Sequence, residues 1–152
     1  MQISQDFLPY KHKTLILVCD SSHAKFYQAY ERNFELIEEI KNDRIKLDDT
    51  ERYSTQTGGG ILSKVVDEDF KERETKMFYK KLADKLFDSF HDEKNSKLIL
   101  IIPDGDKHVL TNELHEDVKQ SLVHAIGKQA TKIPEDQLVK MIDEERRITL
   151  SL

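Results

Sequence analysis

With a single cysteine, Cys19, the chain can build neither a disulfide framework nor a cysteine-rich zinc site. Cys19 sits inside an apolar run and reads as a buried thiol. Long hydrophobic stretches are missing too: no run approaches the roughly 18–20 apolar residues that cross a bilayer. The opening MQISQDFLPYKHK has no apolar h-region of the kind that directs secretion, so the expected location is the cytoplasm, with no membrane partner. Positive charge is not in excess. Lys and Arg number 24 against 29 Asp and Glu, a formal net charge of −5. That balance excludes coating nucleic acid by overall charge and leaves room for a local basic patch. No internal repeat or low-complexity segment breaks the chain. At 152 residues it reads as one domain, residues 1–152, large enough for a core of its own.

Glycine is scarce, five in all, yet three are consecutive: Gly58, Gly59 and Gly60. They close a polar stretch without period, residues 41–60, which the sequence predicts to be a long mobile loop. Glycine needs no room for a side chain, so a partner's backbone can approach closely there. Directly after the glycines begins the longest helical pattern in the chain, running to Phe90. Phe70, Met77, Phe78, Leu82, Leu86 and Phe90 fall on one predicted face. Acids come early in it and Lys76, Lys80, Lys81 and Lys85 late, an order that complements the helix dipole. These lysines are either a solvated face or a short basic stripe suited to phosphates.

Around this unit the remaining elements follow in order. Thr14–Cys19 (TLILVC) and Lys97–Ile102 (KLILII) are continuous apolar runs, as in strands covered on both faces. Residues 24–30 and 34–40 read as two further strands joined by Glu31-Arg32-Asn33, completing a three-strand meander. Past Pro103-Asp104-Gly105, the pattern predicts a short helix over 109–114 and a strand over 122–130. A closing helix opens at Pro134 and carries Leu138, Met141 and Ile142 on one face. The tail after Glu144 is charged and then apolar, fit to pack on the body or on a second copy in a homo-oligomer. The fold class expected is α/β: a mixed sheet, meander first, then helix, strand, helix, strand, helix, in the order of ribonuclease-H-like sheets.

Two chemistries compete. Asp20 after the first strand and Asp104 and Asp106 after the fourth could meet at strand ends, with Glu72 or Glu74 joining to hold Mg²⁺ for phosphodiester cleavage. Aspartates also end strands and cap turns with no such role. The six histidines show no metal-ligand spacing. There is no nucleophile elbow, P-loop or dinucleotide fingerprint, so no cofactor is expected.

The succession LILVCDSSHAKFY, a polar loop closing on glycines, RETKMFYKKLADKL, KLILIIPDG and KQATKIPEDQL resembles the bacterial host attachment protein family, over about Thr14 to Ile142. That family is similar to the middle domain of archaeal and eukaryotic class-one release factors, in which a Gly-Gly-Gln loop precedes a long basic helix. The resemblance places Gly58–Gly60 and Lys76, Lys80, Lys81 and Lys85 at the corresponding site. It implies a loop facing the ribosome or structured RNA. The glutamine that positions the hydrolytic water there has no counterpart: Gly60 or Ile61 stands in its place, and Gln56 precedes the glycines. The resemblance therefore implies binding without peptidyl-tRNA hydrolysis. The metal-dependent nuclease and a protein-interaction module are the alternatives.

Overall fold

The computed structural model describes residues 1–42, 60–92 and 94–151. Residues 43–59, and with them Gly58, Gly59 and the expected mobile loop, lie outside the described residues.

The elements run β1 (Tyr10–Cys19), β2 (His23–Glu31), β3 (Asn33–Lys41), α1 (Gly60–Asp92), β4 (Lys97–Ile102), α2 (Lys107–Glu113), α3 (Glu116–Gln120), β5 (Leu122–Gly127) and α4 (Glu135–Ser151). The five strands form one sheet in the order β3-β2-β1-β4-β5. The meander β1–β2–β3 is antiparallel, and β4 lies parallel to both β1 and β5. This is the mixed α/β sheet that the sequence predicts.

Burial explains why β1 and β4 are apolar without alternation. Leu15, Leu17, Leu98 and Leu100 face one core with α1, α2 and α3, through Leu82, Leu86, Leu110 and Val118. Ile16, Val18, Ile99 and Ile101 face the other with α4, through Leu138, Val139 and Ile142. Strand β2 alternates between the same cores, Ala24 and Phe26 to the first, Tyr27 and Ala29 to the second. The β2–β3 hairpin turns at Glu31-Arg32, with Tyr30 opposite Asn33. Glu31 takes a φ of 54°, the left-handed region that side chains disfavour. Arg32 holds the turn against the lead-in by donating to the carbonyls of Ser4 and Phe7.

Four expectations change. Met77 is 58% exposed. The buried face of α1 carries Glu74, Phe78, Tyr79, Leu82, Ala83, Leu86 and Phe90, spaced so that Met77 falls well off its centre. The connection from β4 to β5 holds two short helices, α2 and α3, where one was expected. Strand β5 stops at Gly127, and residues 128–131 leave the sheet. Finally, the charged tail continues α4 to Ser151. Pro134 stands just ahead of this helix, its carbonyl accepting the first helical bond from Leu138 N.

The tail is helical because it has work on the body. Asp143 is buried; its Oδ1 accepts from Leu8 N and its Oδ2 from Arg147 Nε. Arg146 donates to the carbonyls of Leu8 and Pro9, and Arg147 to that of Asp6. Among the described residues, no helix is long and apolar enough to cross a membrane.

Candidate nucleic-acid interface

Helix α1 spans 33 residues, about 50 Å at 1.5 Å per residue. The six-residue β4 beside it covers only about 20 Å. The sheet therefore cannot cover the helix along its length. Tyr79 ties the helix to the turn that follows β4: its hydroxyl donates to Asp106 Oδ2 at 2.7 Å. Burial, then this bond to a carboxylate, push the Tyr79 phenol far above its ordinary range. Gly60 is the first residue of the helix.

The four lysines lie on the second half of this helix, in two rows that look in different directions. Lys76 lines a groove with α2, where Asp106, His108 and Asn112 form the facing wall. Lys80 is one turn further along. Asp84, another turn on, meets His115 at the start of α3, 3.2 Å away. The Lys76–Lys80 row thus flanks the α2–α3 side. Lys85 reaches the opposite flank, where its Nζ is 2.7 Å from Glu38 Oε1 on β3. Lys76, Lys80 and Lys81 are exposed and Lys85 is half-buried. Three of the four are therefore presented to solvent, while Lys85 already has a carboxylate.

The acids proposed for a metal are placed as follows. Asp20 ends β1 and is buried. Its Oδ1 accepts from the backbone and hydroxyl of Ser22, and its Oδ2 from Gln129 Nε2 and Thr131 Oγ1 at 2.8 and 2.9 Å. Burial raises its pKa, but these hydrogen bonds together outweigh it and hold the carboxyl below its ordinary value. Four donors aimed at two oxygens make Asp20 a clasp between the end of β1 and the segment following β5. Gln129 and Thr131 carried no signal in the sequence that linked them to Asp20.

Asp104 is exposed, with Oδ1 3.5 Å from Lys107 Nζ. It lies against Gly127, where an added Cβ would come within 2.1 Å of the same Oδ1. Asp106 is occupied by Tyr79. Glu72 lines the α2 groove beside Lys76, and Glu74 belongs to the buried face. Among the described residues, no three His, Cys, Asp or Glu side chains gather as metal ligands would. Cys19 is buried beside Asp20 and Asp106, and burial raises its thiol well above the usual range.

A family model, bacterial archaeo-eukaryotic release factor family 12, matches residues 13–142. No curated protein sequence matches the chain. Among solved structures, the archaeal translation termination factor aRF1 is similar in fold, with a TM-score of 0.50 and 16% identity over 91% of this chain. Dom34 of S. cerevisiae, a translation termination-like factor involved in RNA quality control and interacting with Hbs1, aligns over 94% of the chain with a TM-score of 0.46 and 14% identity. The chain spans 40% of the archaeal factor and 39% of the yeast one. The family model speaks for the release-factor side of the resemblance and leaves the host-attachment side where the motifs put it.

Proposed function

The chain belongs to bacterial archaeo-eukaryotic release factor family 12, and from that premise we propose that it is a non-catalytic domain binding the ribosome or structured RNA. The contact runs along α1, from the glycines at its start to the exposed row of Lys76 and Lys80, with Lys81 beside it. The observation that carries this reading is a helix about two and a half times the length of its neighbouring strand, presenting exposed lysines in a chain of net charge −5. Exposed lysines within two turns of one helix act locally, because the carboxylates elsewhere on the chain are screened beyond about 10 Å. No glutamine follows Gly58–Gly60, so the reading includes no hydrolytic step. Partners of this kind would be met in the cytoplasm.

Co-sedimentation with ribosomes over a salt series tests the proposal. Binding should fall steeply as salt rises. Gly59→Val should weaken binding several-fold while leaving its salt slope nearly unchanged, because the glycine offers space and no charge. Absence of salt-sensitive binding to ribosomes and to structured RNA would contradict the proposal and favour the protein-interaction alternative.

A further inference from the structure

A second recess lies at the other end of the sheet from Tyr79 and Asp106, where β1, β4 and β5 begin and the last turns of α4 pass. It encloses about 330 Å³, within the range of small-molecule sites. Leu8, Ile99, Val123 and Leu150 make its apolar walls. Its ionisable side chains, apart from Tyr10, are Lys11, His12, Lys97, His124 and Arg146, and no carboxylate lines it. In a chain with 29 acids against 24 Lys and Arg, an all-basic lining is a departure from the composition around it.

Arg146 anchors this lining. Its guanidinium lies 3.9 Å from the Tyr10 ring centroid, and its two terminal nitrogens donate to the carbonyls of Leu8 and Pro9 at 2.9 and 2.7 Å. These contacts fix the group without cancelling its charge, and it forms no ion pair among the described residues. His124 responds to the same surroundings. Burial first and the Arg146 charge second lower its pKa, while Glu145 partly opposes them. A neutral imidazole, a fixed guanidinium and the Lys97 ammonium then border one apolar hollow. A positively polarised, partly dry recess favours an anion whose remaining surface is apolar.

We propose that this recess binds a small organic anion, a carboxylate or monophosphate carried on an aromatic or short aliphatic body. The anion sits toward Lys97 and Arg146, and the body fills the space against Ile99, Val123 and Leu150. This site is separate from the lysine rows of α1 and does not depend on the RNA-binding reading.

The test is an amide NMR titration of the full chain with 1-naphthoate and 1-naphthyl phosphate, against neutral 1-naphthalenemethanol. The inference expects saturable one-to-one shifts centred on Lys97, Val123 and His124, with the neutral compound binding at least about tenfold more weakly. Which of the two anions binds more tightly distinguishes carboxylate from phosphate. Val123→Trp fills the recess from an exposed position and should abolish the shifts, while Lys97→Gln should weaken binding of the anions alone. If Val123→Trp fails to fold, the anion-against-neutral comparison and Lys97→Gln still decide. Equal affinity for the charged and neutral compounds, shifts centred elsewhere, or no saturable binding would overturn the assignment.

Discussion

Asp20 illustrates how a residue chosen for chemistry can be consumed by architecture. Its two oxygens receive four donors from Ser22, Gln129 and Thr131, so Asp20→Ala leaves several buried donors without a partner. The expected loss is about 2–3 kcal/mol by urea unfolding. The folded carboxyl is held below its ordinary value. Its stabilising contribution is therefore present above the unfolded value, near 4, and fades as pH falls through the folded one. Asp20→Asn should be destabilised at neutral pH and lose part of the wild-type acid sensitivity; an unchanged acid profile would contradict this role. His124 has the same sign for a different reason. Its lowered folded value means stability is retained above about 6.5, the unfolded value, and declines below it. His124→Gln should flatten that part of the pH–stability curve. Tyr79→Phe removes one hydrogen bond to Asp106 and should cost about 1 kcal/mol.

At the scale of elements, α1 separates what periodicity can show from what it cannot. Its step of four places Phe78, Leu82, Leu86 and Phe90 correctly, because a helix one layer from a sheet must bury a stripe. The same pattern admits Met77, which is 58% exposed, and passes over Glu74, which is buried. Side-chain type alone does not report where the neighbouring α2 ends. Leu86→Ala should cost about 2–5 kcal/mol and Met77→Ala under about 0.5 kcal/mol, and comparable losses would sink this assignment of faces. Strands β1 and β4 were legible because burial on both sides demands apolar runs. Helix α3 was not, since only Leu114 and Val118 anchor that stretch. The end of β5 and the helical tail were equally hidden, because both answer to distant partners: Asp20 for residues 129 and 131, and the carbonyls of residues 6–9 for Arg146 and Arg147.

In a chain of net charge −5, three exposed lysines, Lys76, Lys80 and Lys81, gather within two turns of α1, and the proposed function rests on that local cluster. The order of motifs was enough to suggest a release-factor relative. Helical geometry separates Lys76 and Lys80 from Lys81 and Lys85, but it could not show where the rows point: Lys85 toward Glu38, and the Lys76–Lys80 row toward solvent beside α2. That division makes the lysines unequal. The most direct measurement is the slope of log affinity against log salt for ribosome binding, compared across wild type, Lys76→Gln/Lys80→Gln and Lys85→Gln. Each phosphate contact contributes roughly 0.7–0.9 to the slope. The double variant should therefore bind more weakly, with a slope flatter by about one to two units and folding intact. Lys85→Gln, already engaged with Glu38, should change the slope by less than about half a unit. A double variant that keeps the wild-type affinity and slope would contradict the account, and RNA binding along α1 would have to be abandoned.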